Sequence, residues 1–306
     1  MILHDSAKND IHIYLYEPAE KPYKGIVHII HGASEHLARY GLFAEFLNQN
    51  GYAVIGSDLL GHGLSTPTND YVHFADKNGA DLAFESVTLV MDLIKKTFPD
   101  LPVFLLGHSM GSFLARLVLL RYPNFYQKAV LSGTAYMAKP LMAAAGLLSG
   151  IIRLFRGPRA ISPLMNKMGM EAFFPKMVKD GLVDKNGLVE QWLTKNVEIQ
   201  KYYHDSPMCG QPFTVSAYGD LMSWLKVINN LNNIKKGNKE TPLFFFSGAV
   251  DPVSNYGKEV RQLADDFMRV GYKSVVLKLY PNDRHEVLNE LDNRTAYQDV
   301  LDFFNK

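Results

Sequence analysis

Between Val103 and Arg121 the apolar pattern changes its period within five residues. Val103 to Leu106 is a β-rich apolar run, Ser112 to Leu120 carries apolar residues at helical spacing, and Gly107-His108-Ser109-Met110-Gly111 joins them. A strand that passes into a helix through so short a turn must bend sharply, which pushes the central side chain outward and crowds the backbone on either side. Residues without a Cβ fit the flanking positions cheaply, and both are glycine. The stretch is therefore confined to a strand, turn, helix unit with Ser109 as a candidate nucleophile. By chance such a glycine-spaced serine turns up in roughly one chain in ten of this length, so its partners must decide what it means.

The rest of the chain repeats the same alternation. Ile11 to Tyr16 has period-2 character and predicts an edge strand, while Gly25 to His31 and Ala53 to Gly56 predict buried strands. Further strands are expected at Val103 to Leu106, Ala129 to Leu131, Leu243 to Phe246 and Ser274 to Leu279. Helical spacing marks His36 to Asn50, Asp81 to Phe98, Ser112 to Arg121, Asn255 to Val270 and Leu291 to Phe304. Strand and helix in alternation predict an α/β fold with a mostly parallel central sheet and helices on both faces. In such sheets ligands bind beyond the carboxyl ends of the strands, where Ser109 falls.

The alternation breaks after Gly133. Residues 134–212 hold no convincing strand and three helix-like runs, Leu141 to Phe155, Ile161 to Met170 and Leu188 to Tyr203. The expected organisation is a core of residues 1–133 and 213–306 with residues 134–212 inserted as a helical cap.

A serine hydroxyl needs a general base, and the base needs a carboxylate to fix its tautomer and support its cationic form. Asp251 follows the apolar run Leu243 to Val250, and His285 follows Ser274 to Tyr280 and a short polar turn. Each therefore falls beyond a strand end, in the chain order Ser109, Asp251, His285. Asp283 is a rival acid, though it is only two residues from His285 and would have to fold back on it. The developing oxyanion also needs two donors. The backbone N–H of Met110 is one candidate, and that of Ala33, in the loop His31-Gly32-Ala33-Ser34-Glu35-His36, is the other.

Other chemistries are disfavoured. The formal charge is +1, from 32 basic and 31 acidic residues, and no basic stripe suggests nucleic acid. Cys209 is the single cysteine, which excludes a disulfide framework and a thiolate zinc site and suits a reducing compartment. No metal site is expected: His28 and His31, three apart on a strand, point to opposite faces. Asp58, His62 and Ser65 read as a loop held by local polar contacts. The start of the sequence has no secretory signal pattern, and Leu141 to Ile152 is shorter than the roughly 20 residues a membrane-spanning helix needs. The expected location is cytoplasmic, with peripheral membrane contact as an extension.

Together, His31-Gly32-Ala33-Ser34-Glu35-His36, Asp58-Leu59-Leu60-Gly61-His62-Gly63-Leu64-Ser65, Gly107-His108-Ser109-Met110-Gly111, Asp251 and His285 make the chain similar to the monoacylglycerol lipase and lysophospholipase group of α/β-hydrolases, which is also called serine aminopeptidase-like. The resemblance covers the whole chain and is loosest in the cap. It implies an α/β-hydrolase fold, a triad of Ser109, Asp251 and His285, an oxyanion hole at Ala33 and Met110, and no cofactor or metal. Ser34 and Ser112 depart from the family by standing where many members have glycine, as does Pro67. The segment Asp205 to Cys209 resembles the family's return from cap to core, which would bring Cys209 close to a substrate pocket; plain packing is the alternative.

Eight of the twelve methionines lie between residues 134 and 240, including Met142 and Met208. Flexible thioethers suit an adaptable apolar pocket and equally well fill a helical core; with the resemblance, Met142, Met208 and Cys209 become the expected substrate contacts. Residues 134 to 213 hold ten Lys and Arg against six Asp and Glu, a surplus of +4. Leu141 to Phe155, with Arg156 and Arg159 following, would suit transient contact with an anionic bilayer, or packing against the core. The leading expectation is a serine carboxylester hydrolase acting on monoacylglycerol or related single-chain lipid esters. A lysophospholipase, a short-chain esterase or thioesterase, and an aminopeptidase are alternatives on the same triad, and a non-catalytic ligand-binding protein is a further one.

Overall fold

Apolar runs without alternation belong in strands covered on both faces. The computed structural model describes residues 1–306. In chain order its elements are β1 (Ile2–His4), β2 (Asp10–Tyr16), β3 (Gly25–Ile30), α1 (Gly41–Gln49), β4 (Tyr52–Ser57), α2 (Gly79–Thr97), β5 (Val103–His108), α3 (Met110–Arg121) and β6 (Lys128–Ser132). Then come α4 (Lys139–Arg156), α5 (Pro163–Met168), α6 (Phe173–Lys179), α7 (Val197–Asp205), α8 (Val215–Ile228), α9 (Leu231–Ile234), β7 (Leu243–Gly248), α10 (Lys258–Arg269), β8 (Val275–Tyr280) and α11 (Arg294–Asn305). β3, β4, β5 and β7 are buried at every position, and β6 at all but its first.

The strands form one eight-stranded sheet in the order β1-β2-β4-β3-β5-β6-β7-β8. From β4 to β8 every pairing is parallel, and β1 and β2 join antiparallel. Apolar layers cover both faces, one of 46 buried residues that includes Val87 and Leu114, the other of 23 that includes Phe43 and Tyr297.

The chain leaves β3 for β4 on one side and returns to place β5 on the other, so the connections diverge between β3 and β5. That is the switch point at which open α/β sheets present a crevice. The register sets Ile30 beside Gly107 and His108 beside Ser132. The loops after β3, β5 and β6 therefore open side by side, and those after β7 and β8 follow along the same rim.

Three details differ from expectation. β2 is not the edge strand, because the three-residue β1 pairs outside it; so short a run shows no periodicity. Leu188 to Tyr203 is not one helix. It is broken at Thr194-Lys195-Asn196, where Glu290 accepts from both Thr194 and Lys195 and Asn196 caps α7. α8, whose Tyr218, Gly219 and Ser223 weaken helix propensity, has no counterpart among the expected helices and packs chiefly against α4.

Candidate active site

Ser109 stands between the last residue of β5 and the first of α3, at φ 52° and ψ −122°. A non-glycine residue in such a conformation costs about 1–3 kcal/mol and persists only where its surroundings enforce it. Here the neighbours do so. A Cβ on Gly111 would stand 2.1 Å from the carbonyl oxygen of Ile30, and one on Gly107 would lie 2.7 Å from both the Ala115 Cβ and the Gly111 oxygen. The two glycines let α3 press against the end of β3 while Ser109 turns toward the cavity that it lines.

Asp251 and His285 meet on the same rim. His285 Nδ1 lies 3.1 Å from each Asp251 carboxylate oxygen, and both residues are buried. An ionised carboxylate only accepts, so Nδ1 carries the proton and Nε2 is the basic nitrogen. Asp251 is held in turn by the Ser247 hydroxyl at 2.8 Å and the Val253 N–H at 2.9 Å. Burial pushes the carboxyl upward, but His285 and these donors outweigh it and hold Asp251 below the usual range. Burial pushes the His285 ring downward, and the Asp251 charge more than offsets it, leaving the ring above its ordinary value. Asp283, the rival acid, is engaged by Lys195 at 2.8 Å.

His285 and Ser109 line one cavity. The His108 ring, next to Ser109 in sequence, lies 4.8 Å from the His285 ring, and the loop after β6 admits both rings because residue 133 is glycine: a Cβ there would be 3.0 Å from His285 Cε1 and 3.1 Å from His108 Cε1. No hydrogen bond joins Ser109 Oγ to His285 in this structure; the pair shares a wall rather than a bond. Burial, then the nearby His285, pushes His108 down to about 4, so it stays neutral beside the pair.

Ala33 and Met110 also line the cavity. The Ala33 N–H donates to no protein acceptor, and the Met110 N–H heads α3, where the first amides of a helix have no intrahelical partner. Two unengaged donors thus flank Ser109. Ser34 sits at φ 53°, a conformation that glycine adopts without steric cost. Its hydroxyl donates to the Gln211 carbonyl at 2.7 Å and ties this loop to the chain returning from the inserted helices. Ser112 uses its hydroxyl locally, donating to the Ser109 carbonyl at 2.6 Å.

The cavity has a volume of about 660 Å³, and 23 of its 36 lining residues are hydrophobic. Met137, Met165, Met168, Met170 and Met222 line it. The expected contacts Met142, Met208 and Cys209 do not. Met142 packs in the core with its sulfur toward Asn229, and Cys209 is buried against Leu193 and Tyr203, which line the cavity themselves. Met208 lies in the turn after α7, its N–H bonded to the Ser206 hydroxyl. Which methionines face inward depends on how α4, α5 and α8 rotate against one another, which spacing alone does not reveal.

A buried ionic network lies beside the site. Arg39 bonds Glu35 and makes two bonds to Glu286, at 2.7 and 2.6 Å, and Glu35 accepts from the Gly32 N–H at 2.6 Å and the Tyr40 hydroxyl at 2.9 Å. It couples the loop bearing Ala33 to the residue after His285. The Glu35 and Arg39 spacing is a helical pair, but Glu286 is 247 residues away from Arg39, so sequence reading missed the network. Asp58, His62 and Ser65 hold their loop: Asp58 accepts from the Leu37 and Leu64 N–H groups, and Ser65 from that of His12. His28 bonds Tyr126, and His31 Nε2 accepts from Leu59 N–H.

The sequence profile described as Serine aminopeptidase, S33 matches residues 21–292. The chain belongs to the serine aminopeptidase S33 family. Among similar proteins in this family's circle, a monoglyceride lipase of Mus musculus is 33% identical over 129 residues, 42% of this chain and 41% of that protein. A monoacylglycerol lipase of Mycolicibacterium smegmatis is 26% identical over 284 residues, 90% of this chain and 86% of that protein. The matches to the mouse enzyme and to a monkeypox virus homologue span only 41% and 42% of those proteins. Among solved structures, a thermostable carboxyl esterase from Bacillus coagulans in complex with glycerol superposes with a TM-score of 0.86 at 21% identity, covering 100% of this chain and 97% of that one. At that identity the likeness concerns the fold, which is that of the α/β-hydrolases.

Proposed function

We propose that this protein is a serine carboxylester hydrolase that cleaves monoacylglycerol or related single-chain lipid esters. Ser109 Oγ attacks the ester carbonyl, His285 Nε2 takes its proton and passes it to the leaving alcohol, and the acyl group stays on Ser109. His285 then activates water to release the fatty acid. Asp251 orients His285, and the Ala33 and Met110 N–H groups receive the oxyanion. The observation that carries the reading is the buried Asp251–His285 pair sharing a cavity with a serine held at positive φ.

The mainly apolar lining supports a lipid acyl chain over a peptide. In this reading residues 134–212 act as a lid over the core. The outer face of α4 exposes Leu147, Ile151, Leu154 and Phe155, spaced i, i+4, i+7 and i+8 along one stripe, with Arg156 and Arg159 at its end. Apolar residues at that spacing beside cations suit the surface of an anionic bilayer. No helix is long and apolar enough to cross a membrane. We further infer a cytoplasmic enzyme that meets the membrane at its periphery through the outer face of α4.

The experiment is hydrolysis of a panel of monoacylglycerols and aminoacyl arylamides by wild type and Ser109→Ala. Ester turnover that vanishes in the variant is expected. Retained ester turnover, or a preference for the arylamides, contradicts the proposal.

A further inference from the structure

The cavity beside Ser109 is not apolar all round. On the side formed by α6 and the start of α10 it is lined by Lys176, Asn255, Lys258, Glu259 and Gln262. The walls contributed by α3, α4, α5 and α8 are mainly methionine, leucine and phenylalanine, with Ala145 and Tyr218 among them. A purely hydrocarbon substrate would leave the polar side to water.

The polar side is a built surface. Lys176 Nζ donates to the Asn255 side-chain oxygen at 3.1 Å and to the Pro252 carbonyl at 3.4 Å, and lies 4.3 Å from the centre of the Tyr256 ring. Pro252 follows Asp251 directly, so the ammonium group is fixed near the acid and base pair. The loop that holds it runs through three successive left-handed residues, Asn255 at φ 50°, Tyr256 at 58° and Gly257 at 80°. The first two are strained for side-chain-bearing residues. Across from Lys176, Glu259 Oε2 accepts the Tyr136 N–H at 3.1 Å.

The charges on this side do not cancel. Neither Lys176 nor Lys258 makes an ion pair with any carboxylate. Glu259 is the one acid among them, and burial pushes its carboxyl up to about 7, against the pull of the Tyr136 N–H and Lys176, with Asp251 adding to the rise. When neutral, its carboxyl adds a donor and no negative charge. Lys176 is half-buried and Lys258 exposed, so a substrate group reaching this wall meets two cations at the boundary of a largely apolar chamber. There a charge-assisted hydrogen bond is stronger than on an open surface.

We infer that the wall formed by Lys176, Lys258, Asn255 and Glu259 binds an anionic oxygen group on the ester substrate, a phosphate or a carboxylate, and makes charged single-chain esters preferred substrates. This rests on the esterase reading and narrows its substrate class. The shared chemistry has two sources: a phosphate on the leaving alcohol, or a carboxylate at the far end of the acyl chain.

The test compares kcat/KM for three esters: lauroyl monoglyceride, lauroyl glycerophosphate and the monomethyl ester of dodecanedioic acid. Wild type is expected to favour at least one anionic ester over the neutral one by about tenfold, the scale of one partly solvated charge-assisted hydrogen bond. The ratio of anionic to neutral kcat/KM should fall about tenfold in Lys176→Gln/Lys258→Gln, through KM rather than kcat, and return in Lys176→Arg/Lys258→Arg. A response of the phosphate ester assigns the wall to the leaving alcohol; a response of the carboxylate ester assigns it to the acyl end. A wild-type ratio near one, or a ratio the glutamine variant leaves unchanged, overturns the inference while leaving the esterase reading intact. Hydrolysis of none of the three overturns the esterase reading itself.

Discussion

His285 Nδ1 stands 3.1 Å from both carboxylate oxygens of Asp251, with neither residue open to solvent. The pair raises the basicity of the imidazole and fixes its tautomer. Because the charged ring is favoured, kcat/KM is expected to rise with pH through an apparent value above that of an ordinary histidine and to be lost below it, where Nε2 is protonated. Asp251→Asn removes the negative charge, so this acidic limb should move to lower pH while activity drops by about 10⁴. A pH profile of ester hydrolysis for both proteins checks the direction of the shift as well as the loss.

Gly111 is where α3 touches the end of β3. In Gly111→Ala the new methyl would overlap the Ile30 carbonyl, and relieving it must displace the turn that carries Ser109. The expected cost is about 1–3 kcal/mol or more, with loss of turnover. Gly150, inside α4, has nothing within 4 Å of where a Cβ would stand. Gly150→Ala should therefore be neutral or slightly stabilising. Thermal unfolding of the two variants side by side separates steric need from general intolerance.

Arg39 is buried between Glu35 and Glu286. Burial opposes each charge, yet Arg39 and the Gly32 N–H together hold Glu35 down at about 2. Arg39→Met would leave two carboxylates without their cation, and breaking a buried pair in this way typically costs about 3–5 kcal/mol. Urea unfolding at neutral pH should show that loss. It should shrink as pH falls and the stranded carboxylates protonate.

The outward stripe of α4 gives the membrane reading its test. Leu154 and Phe155 are 80% and 81% exposed, and each contributes about 1.5–3 kcal/mol when buried in an apolar phase. Wild type is expected to float with anionic vesicles at low salt and to be released by high salt. Leu154→Asp/Phe155→Asp should remain in the aqueous fraction while still hydrolysing a water-soluble ester.

Much of the site was legible because it is local. Gly107, Ser109 and Gly111 encode one turn within five residues, and Asp251 and His285 each follow an apolar run whose end defines the rim. What escaped depends on contacts between distant segments. Arg39 to Glu286 spans nearly the whole chain, the polar wall at Lys176 requires α6 to reach the loop between β7 and α10, and the inward faces of α4 and α5 decide that Met165 and Met168 line the cavity where Met142 does not. β1, three residues long, is too short to carry a pattern, so the sequence alone makes β2 look like the edge.

The central claim is that Ser109 is the nucleophile, and mass spectrometry after treatment with a fluorophosphonate tests it most directly. The account predicts one adduct, on the peptide containing Ser109, formed in step with loss of ester hydrolysis and absent after Asp251→Asn/His285→Ala. Full inactivation with the adduct on another residue, or a folded, active enzyme that carries no adduct at all, would contradict it.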